Sequence, residues 1–287
     1  MTKINKKVLV SSAKCFADDA AINSHMDSSI AIDQQKAVQE HGEITKAFRA
    51  AGIEVTHVDE PSNCQDGVYT ANWALIRNGT AVMSRLPNAR KSEEAHAKQI
   101  LEDLGYETIV LAENSPFSGQ GDALFCGDYL FVGTTYRTSP AAQDALEKTW
   151  PDVKVVRLQT IPELDAEGMP VINQYSGWPD SFFYDLDLAL AVIDESLIAW
   201  CPDAFDTESQ EKIRSINDVE KIEVSLEEAK EGFACNLVST GEYVIMSDRA
   251  PGLRTELLRR GLQVITPSCT ELVKGGGFIR CISLTLE

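Results

Sequence analysis

Short apolar runs alternate with helical segments along the whole chain, and the same order of elements recurs. Each complete unit has two apolar strands joined by a tight turn, then an amphipathic helix, then one more strand. In the first complete unit the turn is Asn78-Gly79, and the helix runs from about Lys91 to Leu104. Asn-Gly between apolar runs is typical of a hairpin, and Gly105 favours a left-handed helix cap. The pattern predicts a ββαβ repeat.

Three further units follow, and half a unit stands at each end of the chain. Phe278 begins the C-terminal half, while Lys7-Val-Leu-Val and a helix to Ala51 make the N-terminal half. Halves that complete each other indicate a closed ring rather than an open solenoid. We therefore predict an α/β fold, a five-bladed propeller of five ββαβ repeats, as one domain over residues 1–287. The alternative is an open doubly wound sheet, which the hairpin-like pairs disfavour. The later helices are predicted near Ala141 to Lys148, from about Thr207, and from Pro251 to Arg260.

One small polar residue stands in or just before the first strand of each unit. In a closed ring these positions would lie on strands beside the central axis, where their side chains would converge. The alternative is that each is a satisfied turn or strand-edge residue. Convergence predicts a polar pocket on the axis, formed by Asn72, Asp122, Asp187, Asn236 and Cys281.

Composition narrows the class of protein. The 287 residues are 44% hydrophobic and carry a net charge of −18, so a soluble globular protein is expected and nucleic acid or an anionic membrane is disfavoured as a partner. The acidity mildly favours a cationic substrate. Seven cysteines lack metal-binding spacing, and neither a signal peptide nor a membrane-spanning run is evident. These features predict a cytoplasmic protein with free thiols and no cofactor.

Six local motifs occur in chain order and together resemble a known superfamily. They are residues 66–72, 84–90, 118–122, 136–139, 183–187 and 275–281. The chain resembles the amidinotransferase-like, guanidine-modifying pentein proteins, which include dimethylarginine dimethylaminohydrolase, arginine deiminase and citrulline-hydrolase-type proteins. The resemblance covers nearly the whole chain. It implies a five-bladed α/β propeller that works without a metal.

The resemblance also implies roles for individual residues. Cys281, in a Gly-Gly-x-x-Arg-Cys context, corresponds to the nucleophile, and Asp187 corresponds to the carboxylate that holds a guanidinium. Arg85 and Arg137 correspond to arginines that bind a substrate carboxylate. The alternative is that Cys281 is a packed core residue and that these arginines, with Arg90, make surface ion pairs. The other residues assigned to the substrate site are Asp66, Asn72, Ser118, Asp122 and His25.

The chemistry explains why these residue types are needed. A guanidinium carbon is a poor electrophile, so a thiolate must attack it while carboxylates hold its N–H groups. The covalent adduct is then hydrolysed, or passed to an amine. In this superfamily a histidine protonates the leaving amine and activates water. The prediction is a hydrolase for a C–N bond of a guanidino or ureido compound of the arginine-derivative type, with amidino transfer as an alternative and a homodimer left open.

Two positions depart from the superfamily pattern, and both touch catalysis. Asp185 stands where the His-x-Asp motif has its histidine, and Ser118, or Gly119, stands where an acidic residue is expected. Three hypotheses remain open. Asp185 could act as the acid/base, because a carboxyl group desolvated beside Asp187 has a raised pKa. His25 could supply an imidazole from a loop over the site. The third hypothesis is a binding protein without turnover.

Overall fold

The computed structural model describes residues 3–17, 19–27, 29–62, 64–133 and 137–287. Within these residues the strands form five three-stranded sheets, and each middle strand pairs antiparallel on one side and parallel on the other. The strands are β1 (Lys7–Val10), β2 (Glu54–His57), β3 (Ala74–Arg77), β4 (Thr80–Met83), β5 (Glu107–Val110), β6 (Ala123–Cys126), β7 (Tyr129–Gly133), β8 (Lys154–Leu158), β9 (Leu190–Asp194), β10 (Leu197–Trp200), β11 (Glu220–Glu223), β12 (Val238–Ser239), β13 (Tyr243–Ile245), β14 (Gln263–Ile265) and β15 (Leu284–Thr285).

Chain closure joins the two termini in one sheet. Strand β15 pairs antiparallel with β1, with Leu284 opposite Leu9 and Thr285 opposite Val8, and β1 pairs parallel with β2. The other four sheets have the strand orders β3-β4-β5, β6-β7-β8, β9-β10-β11 and β12-β13-β14. The predicted fold class, five ββαβ repeats closed by the two terminal halves, is confirmed. That residues 1–287 form a single domain remains a prediction from the repeat.

The helices begin where local chemistry can satisfy their first backbone N–H groups. Asp33, Ser139, Asp206 and Ser225 each accept a hydrogen bond from the backbone N–H three residues further on. The predicted helices are confirmed with shifts of a residue or so. The short helix α5 was not predicted. The helices are α1 (Gln34–Ala50), α2 (Lys91–Asp103), α3 (Pro140–Thr149), α4 (Thr207–Ser215), α5 (Leu226–Glu231) and α6 (Pro251–Arg259).

Predicted turn chemistry is found between β3 and β4 and after α2. Asn78 and Gly79 have φ angles of 53° and 78°, both in the left-handed region that this two-residue hairpin turn requires. Gly105, with a φ of 90°, follows α2 as the predicted cap. The first turn therefore sets where β3 ends and β4 begins, and the second sets where α2 ends.

The five inner polar residues do not lie on strands, and the prediction is wrong on this point. Asn72 lies in a short 3-10 helix (Thr70–Trp73), Asp187 lies in another (Leu186–Leu188), and Cys281 precedes β15 in a turn. Strand side chains stand perpendicular to the sheet rather than off its edge. A side chain that points at the axis must therefore come from the turn before the inner strand.

The described residues contain no helix long and apolar enough to cross a bilayer. Across the same ranges, no three His, Cys, Asp or Glu side chains are grouped so that they could hold a metal ion. A cytoplasmic location stays a prediction.

Candidate active site

A glycine-rich turn delivers Cys281 to the axis. Gly276 has a φ of 89° and Gly275 and Gly277 flank it. A Cβ atom on Gly277 would lie 2.6 Å from Tyr69 Cε1 and 2.8 Å from Cys281 Cβ, so this position has room only for glycine. The thiol of Cys281 is 3% exposed. The turn thus brings the thiol into a closed polar space rather than onto the surface.

Asn236 holds the backbone around Cys281. Its Oδ1 accepts hydrogen bonds from the backbone N–H groups of Phe278 and Arg280 at 3.1 and 3.0 Å. Its Nδ2 donates to Cys281 Sγ at 3.1 Å. Sequence analysis placed Asn236 at the axis but assigned it no role, although its position in the fourth repeat was the available signal. One amide therefore orders both the turn and the thiol.

The Cys281 thiol donates a hydrogen bond to Asp187 Oδ2 at 3.3 Å. Both side chains are buried, and burial raises the pKa of each well above its usual value. The neighbouring negative charge of Asp185 raises the pKa of Asp187 further, and the charge of Asp187 does the same for Cys281. Without a cation nearby, the protonated thiol is therefore the stable form.

Asp185 lies beside Asp187 and is 1% exposed. Its Oδ2 accepts a hydrogen bond from Asn72 Nδ2 at 2.9 Å and lies 3.7 Å from Arg137 Nη1. A Cβ atom on Gly121 would come within 2.3 Å of Asn72 Nδ2, so this glycine makes space for the contact. Asp185 is therefore held by Asn72 and lies near Arg137, and its negative charge acts on both Asp187 and Cys281.

Asp122 supports the turn that carries both of these aspartates. Its Oδ1 accepts a hydrogen bond from the backbone N–H of Leu186 at 3.0 Å. Burial raises the pKa of Asp122 well above its usual value, and the charge of Asp185 adds to the effect. Three carboxyl groups in a common low-dielectric space do not all ionise easily. Asp122 and Asp187 therefore keep their protons to higher pH than exposed carboxyl groups do.

We expect Gly133→Ala to destabilise the protein, because the new Cβ would lie 1.8 Å from Asp122 Oδ1. The displaced carboxylate would lose its bond to Leu186, and the free energy of unfolding should fall by about 1–3 kcal/mol in urea titrations. Gly42→Ala is the matched control, since nothing lies within 4 Å of the new Cβ on that helical residue. Equal stabilities for the two variants would contradict this account.

A buried ion pair holds Asn72 from the other side. The Arg90 guanidinium binds Glu93 through two hydrogen bonds of 2.7 and 2.8 Å, and its Nη1 donates to Asn72 Oδ1 at 2.8 Å. Arg90 and Glu93 are 2% and 0% exposed, so the surface ion pair considered for Arg90 is wrong. Their spacing of three residues across the start of α2 was the sequence signal. Arg90, Asn72 and Asp185 form a continuous chain of contacts.

Ser118 and Asp66 complete the surroundings of Asn72. The carbonyl and hydroxyl oxygens of Ser118 accept from Asn72 Nδ2 at 3.1 and 3.0 Å. Asp66 is 1% exposed and accepts a hydrogen bond from Gln65 Nε2 at 3.1 Å. Burial raises the pKa of Asp66 to about 6. Both residues lie in the same buried polar region as predicted.

The two arginines assigned to a substrate carboxylate lie in different places. Arg137 lies inside the site, with its guanidinium 4.1 Å from the centre of the Tyr184 ring and Nη2 donating to the Ile22 carbonyl oxygen at 3.2 Å. Tyr136, from the same motif, lies outside the described residues. Arg85 instead binds Glu94 and the Leu111 carbonyl oxygen, each at 2.8 Å. In the described part of the chain, no hydrogen bond or ion pair joins Arg85 to the axial carboxylates.

His25 lies in the segment that closes over Arg137 and the glycine-rich turn. Its Nε2 is 3.1 Å from the Phe182 carbonyl oxygen, and its ring centre is 4.2 Å from that of Phe182. Burial lowers the pKa of His25 to about 4, so its imidazole is neutral near pH 7. Among the described contacts, none joins His25 to Cys281. Eight of the ten assigned residues therefore lie together in the site. His25 joins them as part of the covering segment, and Arg85 lies apart.

Comparison with known families agrees with this geometry. The profile described as N,N dimethylarginine dimethylhydrolase, eukaryotic, matches residues 7–286. The chain belongs to this family. Within the dimethylarginine dimethylhydrolase family, the protein is 29% identical over 273 residues to the N(G),N(G)-dimethylarginine dimethylaminohydrolase of Mycobacterium tuberculosis, covering 95% of this chain and 83% of that one.

Two cyanobacterial relatives extend the comparison. The bifunctional arginine dihydrolase/ornithine cyclodeaminase AgrE of a Nostoc species is 30% identical, but the match spans 93% of this chain and only 36% of AgrE. The N-terminal domain of ArgZ, an arginine dihydrolase solved with bound product, has a TM-score of 0.87 at 28% identity and covers 98% of this chain and 97% of that domain. The same domain has also been solved covalently bound to a reaction intermediate. This member of the dimethylarginine dimethylhydrolase family thus has the pentein fold that its repeats predicted.

Proposed function

We propose that the protein hydrolyses a C–N bond of a guanidino compound related to arginine, through a covalent intermediate on Cys281. The single observation that carries this proposal is the Cys281 thiol, hydrogen-bonded to Asp187 at 3.3 Å inside a closed cluster of carboxylates. Membership of the dimethylarginine dimethylhydrolase family and the covalent intermediate of ArgZ support it. Arginine and its Nω-methylated derivatives are the substrates we propose, because the relatives are named for them.

The substrate cation supplies what the resting site lacks. A guanidinium held by Asp187 and Asp185 would form charge-assisted hydrogen bonds with both carboxylates. Its positive charge would offset the burial that keeps Cys281 protonated, so the thiol would ionise when substrate is bound. The thiolate then adds to the guanidinium carbon. Attack is therefore coupled to binding of a cation.

In this proposal Asp185 has the acid/base role. The Cys281 proton passes to Asp185 as the thiolate forms, and Asp185 then gives it to the leaving nitrogen. The C–N bond breaks, and an amine or ammonia departs, leaving a cationic S-amidino adduct on Cys281. Water gives a proton to Asp185 and adds to the same carbon. The C–S bond then breaks, the hydroxyl proton of the intermediate returns to the sulfur, a neutral ureido product leaves, and Asp185 releases its proton to solvent or to the departed amine. The negative charge of Asp185 raises the pKa of both Asp187 and Cys281, whereas His25 contacts the Phe182 carbonyl oxygen. This difference supports Asp185 over His25 as the acid/base.

Mass spectrometry of the intact protein tests the proposal directly. Arginine, Nω-methylated arginines, agmatine, guanidino acids and citrulline would each be incubated with the protein, then quenched in acid. We expect a mass increment localised to Cys281 by peptide mapping, together with a ureido product. Turnover with an increment on a different cysteine would overturn the role of Cys281.

Binding without turnover is the second candidate function. Two observations favour it: the thiol is neutral at rest, and Arg137 already lies 3.7 Å from Asp185. A thermal shift with arginine, but neither adduct nor product from the whole panel, would identify the protein as a binding protein.

We expect Asp185→Asn to lower kcat by about 10²–10⁴-fold, because the amide cannot carry the proton. Asp185→His should also lose activity, since a neutral imidazole replaces the carboxylate that binds Asn72. Steady-state kinetics of both variants would be compared with Asp203→Asn, an exposed aspartate outside the site. A gain of activity in Asp185→His would show instead a degenerate histidine site.

We expect kcat/KM to rise with pH across the neutral range. This constant reports ionisations of the free enzyme, and the pKa values of Cys281, Asp187 and Asp122 are all raised by burial. Asp187 must be ionised to hold the guanidinium, and it loses its proton only as the pH increases, so the reactive form becomes more abundant in that direction. Initial rates in overlapping buffers measure the profile. A profile that is flat from pH 6 to 9 would contradict the raised pKa values.

A further inference from the structure

A small cavity lies next to Asp187. Its volume is about 40 Å³, which is room for one to a few water molecules. Asp187 and Arg280 line it together with apolar side chains from the inner strands. The other lining residues are Asn5, Leu124, Leu190, Ala191, Val192, Cys235 and Leu237.

Two polar atoms of opposite kind are left without a partner in this region. Asp187 Oδ1 is a buried acceptor and Arg280 Nε is a buried donor, and neither has a hydrogen-bond partner among the described residues. An unsatisfied buried group costs about 1–3 kcal/mol, so such pairs are normally bridged. Both residues line the same cavity. A bridging molecule between them would satisfy both atoms at once.

The rest of the Arg280 guanidinium is firmly anchored. Nη1 donates to Thr285 Oγ1 at 2.8 Å, and Nη2 donates to Gln120 Oε1 at 2.6 Å. These contacts fix the guanidinium so that Nε remains for a third partner. In the described residues, no ion pair within 4.0 Å joins Arg280 to Asp187, although each charge acts on the pKa of the other. A water in the cavity that both residues line would give each atom a partner without a direct ion pair.

We propose that Arg280 is a positioning residue that acts on Asp187 through a water bound between Arg280 Nε and Asp187 Oδ1. The water fixes the carboxylate plane, so that Oδ2 faces Cys281 and the substrate. The positive charge behind the carboxylate stabilises its ionised form. The effect on substrate binding rests on the proposed function, because Asp187 is there the group that holds the guanidinium.

Most titratable groups around Asp187 are negative or neutral, and Arg280 is positively charged. The titratable and charged groups that face it are Asp122, Tyr184, Asp185, Cys235, Arg280 and Cys281. Removing the Arg280 cation should therefore make ionisation of Asp187 harder. The acid limb of the pH profile, where kcat/KM rises with pH, would therefore move to higher pH.

A crystal structure of the wild-type protein, at a resolution that locates ordered waters, tests the bridge itself. We expect one water within hydrogen-bond distance of both Arg280 Nε and Asp187 Oδ1. A direct hydrogen bond between these two atoms, or a cavity without an ordered water, would overturn the proposal. This result does not depend on whether the protein turns over a guanidine.

Kinetics of Arg280→Gln and Arg280→Lys, with arginine as the probe, test the charge. We expect Arg280→Gln to move the acid limb by about one pH unit to the alkaline side. Arg280→Lys keeps the cation, so its limb should stay near that of the wild type. Thr285→Val removes the Nη1 anchor but leaves Nε and the charge, so its limb should move less than that of Arg280→Gln.

The outcomes separate this proposal from the proposed function. If the acid limb lies at the same pH in the wild type and in Arg280→Gln, or shifts equally in the Gln and Lys variants, the role of Arg280 is overturned. Neither result affects Cys281 as the nucleophile. If the protein has no turnover, or if Arg280→Gln does not fold, the wild-type crystal structure alone decides.

Discussion

Replacing Cys281 by alanine is expected to lower kcat by about 10⁴-fold or more, the size of effect seen when a covalent nucleophile is removed. The variant should still bind arginine, because Asp187 and Asp185 remain. Binding should even be favoured, since the thiol no longer uses Asp187 Oδ2 as an acceptor. Turnover would be measured by release of ammonia or amine, and binding by calorimetry.

Cys126→Ser is the matched control for the loss of a buried thiol. Cys126 lies in β6 and donates to the Asp194 carbonyl oxygen at 3.4 Å, a contact that a serine hydroxyl can keep. We expect kcat to change little in this variant. Full turnover by Cys281→Ala would contradict the covalent mechanism.

Replacing Glu93 by glutamine is expected to be the most destabilising single change near the site. Glu93 is 0% exposed and is the counter-ion of Arg90, which would be left as an uncompensated buried charge. Breaking one side of a buried pair costs about 3–5 kcal/mol. Urea unfolding measures the loss. Because Arg90 also positions Asn72, and Asn72 contacts Asp185, kcat should fall together with stability.

Glu256→Gln offers a matched comparison at the surface. Glu256 pairs with Arg259 at the same three-residue spacing, but on an exposed face of α6. Water screens such a pair, so the free energy of unfolding should hardly change. If the two glutamine variants were equally stable, burial would not be the reason for the effect at Glu93.

Three buried carboxyl groups lie at this site. Asp122, Asp185 and Asp187 are buried together, and burial raises the pKa values of Asp122 and Asp187. A cluster that keeps a proton can serve as an acid, and a bound cation can then draw the remaining carboxylates into their ionised form. We therefore propose that this cluster, rather than a histidine, moves the proton.

Functional assignments from sequence were uneven for a physical reason. Asp187 and Cys281 stand at repeated positions of the ββαβ unit, but their roles were assigned from the resemblance to the pentein superfamily. Arg90 and Arg85 belong to one motif, yet Arg90 is buried against Asn72 whereas Arg85 binds Glu94. Nothing local distinguishes the two arginines. Their roles depend on which side of the turn before α2 faces the core.

The sequence by itself determined the repeat, the turns and the closure of the ring. These follow from apolar periodicity and from residues such as Asn78-Gly79, whose effects act over a few positions. The contacts of the site were decided only by tertiary structure. Cys281 meets Asp187 from 94 positions away and Asn236 from 45. Burial, which sets the protonation of these groups, exists only once all five sheets surround them.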